Sequence, residues 1–269
     1  MYHKPLARSN SLWADAPVLG SVSPPANFLA RYNRYFRTQF ADTPEMIRTA
    51  QYIRYQVYCL ERKFENAEEH ASGLESDAFD PVAIHSLVLH SPTSKAIGTA
   101  RLILPNHTAG GLPVQRLLQE GGFRIWDHFP VETTAELSRL AISKHFRSRC
   151  SEASAEDDTR RTGEITRVLP LLGLLQDLLR QSIRLGLTHW AAVLEPKLLR
   201  MLAAMGFYST PVGPLVSHHG LRQPSYCHLS DMLERLRRER PDHWMVVTDA
   251  GTLIPAASIW HCPAHPLVA

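Results

Sequence analysis

The chain has 269 residues, 44% of them hydrophobic and 20% charged, with a formal net charge of +3. That balance supports one elaborated domain with a full core and excludes a disordered or low-complexity chain. Without a lysine- or arginine-rich block nucleic acid is not an expected partner, and no apolar run approaches the roughly 20 residues of a membrane span, so no integral membrane segment is expected. The first 25 residues carry no apolar core of a secretory signal. The four cysteines lie far apart with no CxxC pair, so neither a disulfide framework nor a metal site is indicated. A reduced, cytoplasmic setting is expected.

In chain order, residues 1–30 have no sustained period and read as a flexible arm. Arg34 to Ala41 has the pattern of a first strand. Asp42-Thr43-Pro44-Glu45 is a helix start, with Thr43 as N-cap and Pro44 at the first helical position. Met46, Ala50, Ile53, Val57 and Leu60 then recur at helical spacing, which predicts a helix over 44–63. Residues 61–80 hold seven acids against Arg62 and Lys63, a local charge of −5, and read as a loop. Ile84–His90 and Ala96–Leu104, split by Ser91-Pro92-Thr93-Ser94, predict a β-hairpin. A Gly- and Pro-rich connection with a short helix spans 105–128.

Thr134–Ser143 reads as another strand and 151–164 as a polar, mobile stretch. Val168–Leu185 is a leucine-rich helix, Trp190–Glu195 a short strand, and Pro196 opens a helix capped by Gly206. Ser217–Pro224 reads as a loop rich in side-chain donors. Ser230–Arg240 is a last helix, stopped by Pro241, and 251–269 reads as a tail. This order predicts a mixed α/β sheet in a single domain over 31–250.

Neither GxGxxG nor GxxxxGK[ST] occurs, and GxSxG and HExxH are also missing. Four clusters could carry chemistry instead. Arg54 and Tyr58, four apart on one helix, could with Phe64 hold a carboxylate and an acyl chain, or be a solvated arginine beside core aromatics. Glu75, Asp77 and Asp80 could bind an amine or guanidinium, or form a solvated acidic loop. Arg101, Glu136 and Arg139 sit in apolar strands, where unpaired charge is costly. They imply a network, either structural or catalytic. Strict alternation puts Glu136 and Ser138 on one face and Arg139 on the other. Finally Arg139, Lys144, Arg147 and Arg149 form a cationic run that could hold an anion or be a solvated turn.

In order and spacing, Arg54-Tyr55-Gln56-Val57-Tyr58, Glu61, Phe64, Glu75-x-Asp77-x-Phe79-Asp80, Gly98-Thr99-Ala100-Arg101 and Glu136-Leu137-Ser138-Arg139 resemble the acyl-homoserine-lactone autoinducer synthases. They are also similar to the N-acyl amino acid synthases of the same superfamily. Residues 30–250, through Pro214-Leu215-Val216 and His219-Gly220-Leu221-Arg222-Gln223-Pro224, resemble the PEP-CTERM/exosortase system-associated acyltransferases. Tyr58 stands where autoinducer synthases usually have Phe, and Phe64 where they usually have Trp.

The resemblance implies a GNAT-like three-layer α/β sandwich, a mixed central sheet flanked by helices. It also implies transfer of a fatty acyl group from a phosphopantetheine thioester to an amine. The matched residues Arg54, Tyr58, Phe64, Asp77, Asp80, Arg101 and Arg139 are the expected substrate-binding set. Arg101 or Arg54 suits an acceptor carboxylate. Glu136 is the expected base, and a backbone N–H in a bulged strand near Ser138–Leu140 the expected oxyanion donor. In related enzymes a tyrosine often protonates the leaving thiolate; Leu202 occupies that approximate place. The usual Gly-rich pyrophosphate loop is replaced by Phe146-Arg147-Ser148-Arg149-Cys150-Ser151. A donor rim of Lys144, Arg147 and Arg149 therefore favours acyl carrier protein, as partner and co-substrate, over coenzyme A. No permanently bound cofactor and no metal is expected. Two rival readings stay open: a true acyl-homoserine-lactone synthase using S-adenosylmethionine, and a non-catalytic acyl-carrier-binding regulator.

Overall fold

The computed structural model describes residues 28–105, 111–122, 130–144, 168–217 and 220–254. Its centre is a mixed sheet of β1 (Phe36–Phe40), β2 (Ala83–His90), β3 (Lys95–Ile103), β4 (Thr134–Ile142), β5 (His189–Leu194), β6 (Thr210–Pro211), β7 (Val216–Ser217) and β8 (Leu221–His228), in the order β1-β2-β3-β4-β5-β8-β6, with β7 on β8. Only β4 and β5 pair in parallel; the other neighbours are antiparallel.

The helices are α1 (Phe28–Tyr35), α2 (Pro44–Arg54), α3 (Pro113–Glu120), α4 (Leu169–Arg184), α5 (Pro196–Ala204), α6 (Leu229–Glu239) and α7 (Pro241–Val247). One face of the sheet buries Val88, Leu102, Ala135 and Leu137 against α1, α4, α6 and α7 in the largest apolar cluster. The opposite face carries α2 over Leu87, Leu89 and Ala141, and α3 over Ile103 and Ala191. Helices on both faces of one sheet make the three-layer arrangement expected from the sequence. Helix α4 is buried almost all round, including its polar Gln176, Asp177, Gln181 and Ser182, as a helix sunk in the core. Its buried Asp177 accepts a hydrogen bond from Ser86 Oγ at 2.8 Å, which satisfies a polar group that would otherwise be costly there.

Helix α2 begins as its sequence dictates. Thr43 Oγ1 accepts from the Met46 N–H at 3.3 Å, and Pro44 opens the first turn; such a cap contributes about 1 kcal/mol. The predicted helix does not stay α-helical to residue 63. From Tyr55 to Glu61 it widens into a π-helix, and the Arg62 N–H bonds back to the Val57 carbonyl at 2.9 Å. Apolar spacing cannot register one extra residue per turn.

Three further elements depart from expectation. The segment starting at Arg34 is helical through Tyr35, and α1 begins at Phe28, inside the stretch read as an arm. In the donor-rich loop expected at 217–224, residues 221–224 belong to strand β8 and Ser217 to β7. Pro224 argues against a strand in the sequence, yet here it sits opposite Val193 and its carbonyl accepts from the Val212 N–H at 2.9 Å. Pro241 does not end the chain's helices but opens α7, where a residue lacking an N–H is tolerated at the first position. The stretch 151–164 and residues 255–269 of the expected tail lie outside the described residues.

Candidate active site

Strands β4 and β5 pair from Thr134↔His189 to Leu137↔Ala192 and no further, although β4 runs on to Ile142 and β5 to Leu194. Their C-terminal halves splay apart. A cavity of about 850 Å³ opens there, between Ser138–Ile142 on one side and Val193, Leu194 and Glu195 on the other. Tyr58, Phe64, Asp77, Arg101, Glu136, Ser138 and Arg139 line it, as do Arg222, Arg116 and Met201.

The splay begins at an irregularity in β4. The β3–β4 register shifts between Thr99↔Ala141 and Arg101↔Ser138, so β4 carries one extra residue there. Arg139 has φ +50°, a left-handed conformation that a bulky residue rarely adopts. Up to this point the strand alternates, with Ala135 and Leu137 on the α4 face. Beyond it Leu140 and Ile142 pack against that face, and Ala141 against the α2 side. The extra residue is Arg139. It therefore shares the face of Glu136 and Ser138 rather than lying opposite, which corrects the expectation from simple alternation.

The bulge completes a buried charge cluster. Arg54 Nε is bonded to Glu75, and its Nη1 donates to Asp80 Oδ1 at 2.6 Å. Arg101 Nη1 reaches Asp77 at 2.5 Å and Asp80 at 2.6 Å, and its Nε donates to Ser138 Oγ at 3.0 Å. Arg139 Nη2 reaches Glu75 at 3.0 Å, and Glu65 and Asp77 at 3.2 Å. Three guanidiniums thus meet four carboxylates. Burial alone would raise the Asp80 carboxyl, but Arg54 and Arg101 outweigh it and hold it at about 2. Glu75 and Asp77 are lowered in the same way, against their own burial. Of the expected network of Arg101, Glu136 and Arg139, the two arginines are joined through the acidic loop and the end of α2, whereas the printed bond of Glu136 goes to the Val114 N–H.

This geometry sorts the expected site residues. Arg54 is fully buried, and neither it nor Asp80 lines the cavity; both lie behind the wall that Asp77 and Arg101 present. Arg54 is therefore withdrawn as a direct ligand for an acceptor carboxylate. Lys144 lies outside the cavity; its side chain is exposed and its backbone N–H donates to Glu61 Oε1 at 3.0 Å. Arg139 turns into the carboxylate cluster, so it leaves the cationic run of the donor rim. Arg147 and Arg149 lie outside the described residues. Leu202 is a core residue packed in the main apolar cluster, whereas its neighbour Met201 lines the cavity.

Glu136 is 4% exposed and accepts a hydrogen bond from the Val114 N–H, at the start of α3, at 2.7 Å. Burial pushes its carboxyl up to about 7, opposed by that hydrogen bond and by Arg101 and Arg139. A carboxylate poised near neutrality on a cavity wall suits a proton acceptor. Tyr58 donates its hydroxyl to the Leu140 carbonyl at 3.0 Å, and Arg139 lies over its ring at 5.6 Å.

Arg222 was not singled out from the sequence. It projects from β8 with its guanidinium over the Phe64 ring at 4.9 Å, and pairs with Glu195 at 2.7 Å. The signal that could have found it is an arginine in a segment already shared with a related subgroup; reading that segment as a loop hid its place on the sheet. Among the described residues there is no group of three or more His, Cys, Asp or Glu side chains able to hold a metal ion, and no helix long and apolar enough to cross a membrane.

Residues 53–154 match the family model described as an acetyltransferase (GNAT) domain. No curated protein sequence matches the chain. Among solved structures, TofI in a ternary complex with an inhibitor and MTA is 19% identical with a TM-score of 0.51, covering 74% of this chain and 96% of its own. BjaI, a CoA-dependent acyl-homoserine lactone synthase with SAM and isopentyl-CoA, is 16% identical with a TM-score of 0.50, covering 80% of this chain and 88% of its own. FeeM, an N-acyl amino acid synthase from uncultured soil microbes, is 13% identical with a TM-score of 0.47, covering 76% and 96%. The splayed β4–β5 pair, the three layers and the match over residues 53–154 together give this chain a GNAT-fold acyltransferase domain.

Proposed function

We propose that the protein moves a fatty acyl group from a phosphopantetheine thioester to the amine of an amino acid or a similar small molecule. The observation that carries this reading is the open β4–β5 splay, with Glu136 on the wall of its cavity. A pantetheine arm is a narrow chain with amide groups, and a splayed strand edge offers it unpaired backbone partners. The acceptor amine enters from the side of Phe64, Asp77 and Arg101.

The amine must be neutral to attack. Glu136 takes its proton, directly or through one water, as the nitrogen bonds to the thioester carbon. The carbonyl oxygen becomes an oxyanion, which a backbone N–H of the Ser138–Leu140 bulge stabilises. Collapse breaks the C–S bond. The thiolate leaves and takes up a proton, and the product is an amide. Arg101, held by Asp77, Asp80 and Ser138, keeps that wall rigid.

Acyl carrier protein is the favoured donor, on the sequence around 144–149. Lys144, Arg147 and Arg149 offer cations without a glycine-rich loop for a pyrophosphate. The segments 214–216 and 219–224 support placement among the acyltransferases associated with PEP-CTERM/exosortase systems.

Lipid extracts of an expressing host, examined by mass spectrometry, test the reading. Stable long-chain amides are the expected result. Homoserine lactones would replace it with the S-adenosylmethionine reaction. No new lipid, together with retained carrier binding, would leave a non-catalytic regulator.

A further inference from the structure

The cavity in the splay reaches through the sheet to its α4 side, where Leu171, Leu198 and Met201 continue the wall. A second, smaller cavity of about 40 Å³ lies beside it under α5, and Leu137 and Leu194 line both. Leu199 and Leu202 of α5 and Met232 of α6 form its roof. By the room that a water-sized group needs, the second cavity holds a few carbons of a chain.

The floor of this cavity is set by register. Leu137 pairs with Ala192, and Ala192 with Ser225, so the three form a row across β4, β5 and β8 on one face of the sheet. Ala192 and Ser225 are the small members of that row, and their size leaves the space beneath α5. Ser225 is fully buried, and its Oγ has no hydrogen-bond partner. A buried hydroxyl left unpaired loses its hydration with nothing in return, and alanine would occupy the same place without that cost. The hydroxyl can both donate and accept, and it sits among walls that are almost wholly apolar.

Sheet geometry gives the depth of Ser225. Under the acyltransferase reading the thioester carbon lies at the Ser138–Leu140 bulge. Ser225 stands two strands away from Leu137, about 10 Å at the usual strand spacing, and the bulge adds roughly one residue's rise along β4. An extended alkyl chain advances about 1.25 Å per carbon, so a chain that starts at the bulge reaches Ser225 near its tenth carbon.

Resting on the acyltransferase reading above, we infer that Ser225 is a specificity-determining residue for the acyl donor: it hydrogen-bonds an oxygen substituent, a hydroxyl or a keto group, carried near the tenth carbon of a long acyl chain. The chain passes Leu137 and Leu194 from the first cavity into the second. The second cavity therefore selects oxygenated chains over plain chains of the same length.

The test is a direct competition among three preformed acyl-acyl carrier proteins: dodecanoyl, 3-hydroxydodecanoyl and 10-hydroxydodecanoyl. The acceptor is the amine found in the amide lipids of the expressing host. The ratio of amide products, read by mass spectrometry, gives the ratio of kcat/KM. Wild type should favour the 10-hydroxy chain over the plain one by about 3- to 10-fold, the size of one neutral hydrogen bond. In Ser225→Ala that ratio should fall to near one. The variant should melt no lower than wild type, because the hydroxyl it removes has no partner within the protein.

Equal use of the plain and 10-hydroxy chains by wild type overturns the subsite and leaves the acyltransferase reading intact. So does an alanine variant that keeps the wild-type preference, or one that melts clearly lower. A preference for the 3-hydroxy chain that disappears in Ser225→Ala would put the hydroxyl beside the thioester and overturn its distal place. A host that makes no acyl amide overturns the acyltransferase reading itself, a result distinct from amides formed without preference.

Discussion

The hydroxyl of Tyr58 donates to the carbonyl of Leu140 at 3.0 Å, tying the π-helical turn after α2 to the strand where the sheet splays. Next to the bulge at Arg139 this carbonyl takes its bond from a side chain. Burial raises the Tyr58 pKa, so the hydroxyl remains a donor. Tyr58→Phe should therefore leave Leu140 under-satisfied and cost about 1–3 kcal/mol. Thermal melting would show this as a fall of roughly 2–4 °C per kcal/mol for a chain of this size. An unchanged melting temperature would mean that water replaces the hydroxyl without penalty.

Glu136→Gln should fold and lose turnover. The amide keeps an oxygen for the Val114 N–H but cannot accept a proton. Loss of a general base costs roughly 10²–10⁴-fold in kcat. The wild-type rate should rise with pH through about 7, where Glu136 ionises, and any residual rate of the variant should lack that limb. Turnover within a few-fold of wild type would place the base elsewhere.

The same group makes a stability prediction of defined sign. Its folded pKa is raised from 4.5 to about 7, so its contribution is fully present below the unfolded value. It is lost as pH rises through the folded one. The loss amounts to about 3 kcal/mol between low and high pH. Denaturant titrations of wild type and Glu136→Gln should therefore converge in acid and separate above neutrality, with the glutamine variant relatively favoured there. Parallel curves would contradict the buried carboxyl.

Asp80 has the opposite sign. Its carboxyl is held at about 2 by Arg54 and Arg101 against the opposing effect of burial. The stability it supplies is present above the unfolded value of 3.8 and is lost as pH falls through about 2. Asp80→Asn removes the carboxylate that Arg54 and Arg101 share and leaves each guanidinium one acidic partner, Glu75 and Asp77. It should destabilise the protein by about 1–3 kcal/mol and weaken acceptor binding as Arg101 loosens. An unchanged melting temperature with an unchanged acceptor KM would count against the pairing.

Charge reversal at Arg147 and Arg149 probes the donor. Changing both to Glu should lower kcat/KM with acyl carrier protein by about 10-fold or more at low salt. It should also flatten the dependence on ionic strength. Equal or better wild-type rates with acyl-coenzyme A, or no effect of the reversal, would rule out a basic rim that docks the carrier.

Much of this protein was determined locally. Thr43 and Pro44 start α2 because capping and a missing N–H are properties of those residues alone. The turn at Ser91–Ser94 joins β2 to β3 for a similar reason, and the helices opened by Pro44 and Pro196 begin where proline is tolerated. The cost of unpaired charge in apolar strands was enough to foresee a network around Arg101 and Arg139. Together with the positions matched to the autoinducer synthases, that cost also pointed to Asp77 and Asp80 as partners of Arg54 or Arg101; the pairing of Glu75 with Arg54, 21 residues away in the chain, came only with the fold.

Tertiary structure decided the rest. Alternation assigns Arg139 to the wrong face, since the one-residue bulge that turns it over arises from how β3 and β4 register. The reading of 217–224 as a donor-rich loop hid β8, and with it Arg222, because the pairing that makes this polar segment a strand comes from β5 and β6. The cavity itself depends on β4 and β5 ceasing to pair beyond Leu137 and Ala192. That is a relation between two segments more than fifty residues apart, and the periodicity of neither one contains it.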